Sequence, residues 1–409
     1  MNSLERLAHA GVAVWLDDLS RSLLKSGDLG RMVADGKIVG VTTNPTIFSK
    51  SISTSSGYAA QLQELALRGT AIGEALRLLT ASDVRAACDV LHPVYERSGK
   101  RDGRVSIEVD PRISGHAERT AAEARGLWWL VDRPNLFIKI PATRPGLAAI
   151  TKSLAEGISI NITLIFSLDR YRAVLDAFMA GLEQRAAKGE DLDGIESVAS
   201  FFVSRVDTEV DRRLRKIGAA DPSLAADTRE LFGQAALANA RLAYELYEAA
   251  QTSDRWKALA AKGAKLQRLL WASTGVKDNA FPATRYVTEL VAPETVNTMP
   301  RPTLAAVEIF DGAISDTVTC GYSDARKVVT SLSKMDVDLA EVADVLERQG
   351  IASFAQSWEE LINSVQEQLE NAGAQVMPAG AVIPASPGGS YSRGPAAAAP
   401  ARTADRGPA

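Results

Sequence analysis

The chain has 409 residues, 46% of them hydrophobic, enough to bury one large core or two modest ones. Its 46 Lys and Arg against 50 Asp and Glu leave a formal net charge of −4, so no basic face is offered to nucleic acid. Its two cysteines, Cys88 and Cys320, support neither a disulfide framework nor a thiolate metal site.

The opening stretch, MNSLERLAHAGVAVWLDD, lacks the uninterrupted apolar segment and cleavage site of a secretory signal. No later run approaches the roughly 20 apolar residues that span a bilayer. A cytoplasmic protein without membrane partners is therefore expected. From there, β-branched runs recur, each followed by helical patterning. In order they are VAVWLD (12–17), IVGVTTN (38–44), VSIEVD (105–110), LFIKIPA (136–142), ISINITLI (158–165), SVASFFV (197–203), RLLWAS (268–273) and TVNTM (295–299). Most are nearly continuous apolar, the pattern of parallel strands covered on both faces. Amphipathic stretches such as 115–132 and 167–188 separate them. Eight strands alternating with helices predict an α/β fold, a (β/α)8 TIM barrel.

Two intervals exceed one crossover helix. Residues 48–100 have room for two or three extra helices, and 206–264 for a long helix with a short one after it; both read as barrel decoration. Helical patterning continues past the eighth strand over 303–315 and 338–372. The barrel domain is expected to occupy 1–372. The remaining 373–409, rich in Pro, Ala and Gly, reads as a disordered tail.

The informative feature is where polar side chains interrupt these strands. Period-two alternation sends every second residue into a barrel, and the C-terminal strand ends carry the chemistry. Thr42 and Asn44 share a face, Lys139 shares one with Phe137, Asn161 with Thr163, Ser200 with Phe202, and Ser273 with Trp271. Asp17 and Glu108 close their strands. Seven strands thus send polar groups to one end, which a purely structural core would avoid because buried polar groups need partners.

Lys139, between LFI and IPA, is the strongest signal. Desolvation inside a barrel lowers a lysine's pKa, which a Schiff-base nucleophile requires. Glu108 and Asp17 can share the proton transfers, while Asn44, Asn161, Thr163 and Ser200 can hydrogen-bond a hydroxylated substrate. Arg205 and Lys277 could hold a phosphate, with the small residues of ASTG offering backbone N–H groups nearby. There is no Walker A, GxGxxG after the first strand, or GxSxG elbow. His9, His92 and His116 are scattered. A lysine mechanism needs no cofactor and no metal.

These segments together resemble the transaldolase family. VWLDDLSR, GVTTNPTIF, VSIEVDPR, LFIKIPAT, ISINITLIFS, SVASFFVSRVD, LLWASTGVKD and TVNTMP stand in family order over roughly 11–370. The WLDDLSR opening and the insertions are similar to the larger subgroup of actinobacteria and cyanobacteria. The resemblance implies a cofactor-free class I aldol mechanism on sugar-phosphate substrates of the pentose phosphate pathway. Lys139 would form the Schiff base with sedoheptulose 7-phosphate or fructose 6-phosphate. Glu108 would act as acid and base through a water ordered near Thr163, and Asp17 would take the C4 hydroxyl proton. Asn44, Asn161 and Ser200 would hold the three-carbon unit beside Thr42, with Phe202 as a pocket aromatic and Arg205 on the phosphate. The family's second phosphate arginine, after Ser273, is missing; TGVK stands there, so Lys277 is expected to replace it. Two other readings remain open: an aldolase releasing free dihydroxyacetone, and a barrel serving only as a scaffold.

Overall fold

The computed structural model describes residues 2–376. Its centre is a closed barrel of eight parallel strands in chain order: β1 (Val12–Leu16), β2 (Gly40–Val41), β3 (Arg104–Glu108), β4 (Leu136–Pro141), β5 (Ile160–Ile165), β6 (Ser197–Phe202), β7 (Arg268–Ala272) and β8 (Thr295–Met299), the last pairing back to β1. Every residue of β3 through β8 is buried. Helices on the outside and side chains within account for the lack of polar alternation in these runs. Among the described residues no helix is long and apolar enough to cross a membrane.

The barrel interior is filled from strands that are not neighbours. Trp15 of β1 stacks on Phe137 of β4, ring centroids 6.1 Å apart, and the Arg104 guanidinium lies 5.0 Å from the Phe137 ring. Gly40 of β2 has to be glycine, because a Cβ there would lie 2.5 Å from the Trp15 ring. Two residues beyond the stacked pair, on the same inward face, come Asp17 and Lys139.

The strand ends differ from expectation. The second strand was expected to reach Asn44, but it pairs only through Val41; Asn44 instead caps the helix Pro45–Thr54, its Oδ1 accepting from Ile47 N at 3.0 Å with Pro45 at the first helical position. Toward its end β5 slips register against β6 between Ile162 and Ile165, and Leu164 sits at φ +61°.

The first insertion folds as the helices Pro45–Thr54, Ala59–Leu67 and Ile72–Arg97. The second gives Ser204–Ala220, Ala225–Glu230, Ala235–Thr252 and Asp254–Ala260, broken at Gly233, which has φ +68°. The helix expected over 303–315 runs Arg301–Glu308; it begins early because Pro302 fits the first turn, and Arg6 takes the carbonyls of Phe310 and Gly312 just beyond its end. A helix at Tyr322–Lys334 was not expected. The final helix, Leu339–Val376, crosses the C-terminal mouth of the barrel and continues past the expected boundary at 372. Beyond Val376 the expected tail lies outside the described residues.

This capping helix is held by the first insertion. Thr46 and Ser357 hydroxyls meet at 2.8 Å, Gln368 donates to the Ile52 carbonyl at 2.8 Å, and Arg170 pairs with Glu347 at 2.9 Å from the barrel wall. The insertion is therefore more than decoration: it seats the helix that roofs the site.

Candidate active site

A cavity of about 320 Å³ opens at the C-terminal mouth, and Asp17, Thr42, Asn44, Lys139, Thr163, Ser200, Phe202, Arg205, Ser273 and Lys277 all line it. Lys139 is 5% exposed and rises from the floor. Its Nζ stands 3.2 Å from Glu108 Oε2 and donates to the Thr43 carbonyl at 3.1 Å. Thr43 is in turn fixed by its own hydroxyl, which donates to Ser106 O at 2.7 Å.

Glu108 stands behind Lys139, outside the cavity lining, and its carboxyl is strongly perturbed. Removal from water pushes its carboxyl up to about 7; the Lys139 charge opposes this and the Asp17 charge adds to it. Apart from the Lys139 ammonium no protein donor reaches its buried oxygens, and Thr163 Oγ1, which lines the cavity, is buried with no hydrogen-bond partner, so polar capacity is left there for a reacting molecule. Desolvation also raises the Asp17 carboxyl, against the pull of Lys139 and a hydrogen bond from Thr42. That bond is 2.8 Å, and Thr42 Oγ1 lies 2.6 Å from Thr298 Oγ1. Since the Thr42 proton goes to the carboxylate, Thr298 must donate to Thr42.

Asn161 stands differently from expectation. It does not line the cavity; its amide donates to Ser106 Oγ at 3.0 Å and accepts from Ser200 Oγ at 2.7 Å. It therefore links β3, β5 and β6 and orients Ser200. Ser273 was expected to share an inward face with Trp271. Trp271 instead points outward, donating to Leu290 O at 3.0 Å and meeting Phe201 edge-on, and Phe201 packs on Tyr171 of an outer helix. Ser273 still reaches the cavity because its φ of +57° breaks the alternation, and its hydroxyl lies 2.9 Å from that of Ser204.

At the far wall stands the cationic group. The Arg205 guanidinium lies 5.3 Å from the Phe202 ring and 6.0 Å from the Phe354 ring. Among the described residues neither Arg205 nor Lys277 has an ion-pair partner. Asp278, beside Lys277, is occupied by Arg215 at 2.8 Å. Asp18, by contrast, faces away and pairs with Arg301. Thr298 and Phe354 line the cavity and were not singled out from the sequence.

A parallel eight-strand barrel with a buried lysine–carboxylate pair at its C-terminal mouth defines a (β/α)8-barrel enzyme. The transaldolase/fructose-6-phosphate aldolase family model matches residues 14–365, and the chain belongs to this family. It is similar to the transaldolase of Frankia alni, 56% identical over 372 residues that cover 91% of this chain and 99% of the relative. It is also similar to the transaldolase of Thermobifida fusca, 58% identical over 366 residues, 90% of this chain and 98% of the relative. Transaldolase 1 of Streptomyces avermitilis is 54% identical over 374 residues, 91% of this chain and 97% of the relative.

Proposed function

We propose that this enzyme is a transaldolase of the pentose phosphate pathway, moving a dihydroxyacetone unit from sedoheptulose 7-phosphate to glyceraldehyde 3-phosphate through a Schiff base on Lys139. The products are erythrose 4-phosphate and fructose 6-phosphate. The observation that carries the chemistry is the Lys139 amine, held 3.2 Å from a carboxylate whose pKa is pushed up to about 7. A group at that pKa both accepts and donates near neutrality, as carbinolamine formation and dehydration require. The amine adds to the C2 ketone, Glu108 takes the nitrogen proton, and the protonated carboxyl then helps expel the C2 hydroxyl as water. Asp17 removes the C4 hydroxyl proton as the C3–C4 bond breaks. The aldose phosphate leaves and the three-carbon unit stays on Lys139 as an enamine.

In this reading Asn44, Ser200 and Thr42 hold the hydroxyls of that unit, Asn161 orients Ser200, and Thr163 shares a water with Glu108. Arg205, Lys277 and Ser273 receive the phosphate, supported by two cations without ion-pair partners among the described residues. No cofactor or metal takes part. Two free cysteines, one buried and one exposed, support a cytoplasmic setting.

Borohydride reduction in the presence of fructose 6-phosphate, followed by mapping of the modified lysine, tests the proposal. The adduct is expected on Lys139; trapping elsewhere, or trapping that survives Lys139→Ala, rejects it. Turnover that does not need an aldose acceptor would instead assign the chain to free dihydroxyacetone release.

A further inference from the structure

Phe354 reaches the site from the capping helix, 215 positions after Lys139 in sequence. Its ring is 4% exposed and lines the cavity, with its centroid 5.7 Å from Lys139 Nζ and 6.0 Å from Arg205 Cζ. Its depth is set one turn earlier. Gly350 approaches so closely that an added Cβ would lie 2.9 Å from Leu164 Cδ2, and residues four apart share a helix face. The Thr46–Ser357 and Arg170–Glu347 contacts flank it on either side. A ring locked in this way covers the space beside the nitrogen and offers water no hydrogen-bonding atom.

We propose that Phe354 is a specificity-determining residue that shields the lysine-bound enamine from solvent protons and so commits the three-carbon unit to transfer. The inference rests on the Schiff-base reading given above. Transfer and release both end in hydrolysis of an iminium at C2, so they divide earlier, at the nucleophilic enamine carbon. In transfer that carbon forms a bond to the acceptor aldehyde carbon, whose oxygen takes a proton. In release it takes a proton from a solvent-derived donor instead; water then adds to C2 with loss of a proton, the C–N bond breaks, and Lys139 keeps the electron pair as free dihydroxyacetone departs. The enamine carbon is two bonds from the lysine nitrogen, within the space the ring covers. A cation near the face of a ring is also held there electrostatically, which favours the iminium without admitting water.

The test compares two rates on the full-length protein with fructose 6-phosphate as donor: transfer to erythrose 4-phosphate, and release of dihydroxyacetone without acceptor. Phe354→Ala is expected to raise the release-to-transfer ratio about ten-fold, and dihydroxyacetone released in D2O should carry deuterium on the former enamine carbon. Phe354→Leu keeps most of the volume and is expected to raise the ratio less; it decides the matter if the alanine variant fails to fold. A parallel fall in both rates, with the ratio unchanged in a folded variant, would assign the ring to packing alone and overturn the proposal. A wild-type enzyme that neither transfers nor traps on Lys139 would instead overturn the Schiff-base reading on which it rests.

Discussion

Glu108 and Lys139 are Cα partners across β3 and β4, and their side chains meet as an ion pair of 3.2 Å that is almost wholly out of water. The relationship predicts a pH profile. The carboxylate must be ionised to take the proton from nitrogen as the amine adds to the ketone, so kcat/KM should fall below a midpoint of about 7. Glu108→Gln should lower kcat by about 10²- to 10⁴-fold and flatten that acidic limb. A profile measured from pH 5 to 9 checks this. The same midpoint in the glutamine variant would move the titration to another group.

The shift also affects stability. The Glu108 carboxyl is raised from an ordinary 4.5 to about 7, so the folded state binds the proton more tightly than the unfolded chain. Its stabilising contribution is complete below about pH 4.5 and is lost as pH rises through 7, a change of about 3 kcal/mol at 1.36 kcal/mol per pH unit. Urea unfolding of the wild type should show this downward slope between pH 4.5 and 7, and Glu108→Gln should be flatter by that amount. Parallel curves would mean that the carboxyl titrates alike in both states.

Lys277 tests the phosphate end. An exposed ammonium at the cavity rim that binds phosphate should matter only for phosphorylated donors. A hydrogen bond to a charged group contributes about 1.5–3 kcal/mol, so Lys277→Ala should raise the fructose 6-phosphate KM by roughly 10- to 100-fold with kcat little changed. Activity toward unphosphorylated aldehyde acceptors should be far less affected. Equal losses on both would leave the lysine a structural role. Arg205→Ala should cost more, because its guanidinium is fixed over the Phe202 ring.

How far the sequence disclosed the site depended on the kind of signal each residue left. Lys139, Glu108 and Asp17 were legible because an ionisable side chain inside an apolar strand is costly, and alternation gave their direction. Ser273 lines the cavity because a positive φ turns it there, a backbone feature that the alternation pattern with Trp271 does not reveal. Asn161 was legible as an inward amide, but sequence could not show that Ser106 and Ser200 already occupy it. Phe354 left no signal at all: on an amphipathic helix it looks like any other apolar position, and only the fold carries it to Lys139. Thr298 was hidden among neighbours, because Thr295 and Asn297 of the same strand are polar too and make other bonds, to Ala292 O and Tyr286 O.

Thr298 is also the residue for which structure makes the most specific claim. Its hydroxyl donates to Thr42, which donates to Asp17, so the carboxylate proposed to take the C4 hydroxyl proton is aimed through two hydrogen bonds. Thr298→Val keeps the shape and removes the outer donor. Thr42 then loses the partner that fixes its rotamer, at a cost of about 1 kcal/mol, or roughly five-fold in kcat if the aim of Asp17 matters only as the C3–C4 bond breaks. Donor KM should hardly change, and Thr298→Ser should restore the rate because the donor returns. Steady-state kinetics of the two variants separate the alternatives. A raised KM with an unchanged kcat would mean that Thr298 meets the substrate directly, and unchanged kinetics throughout would leave Thr42 alone sufficient to hold Asp17.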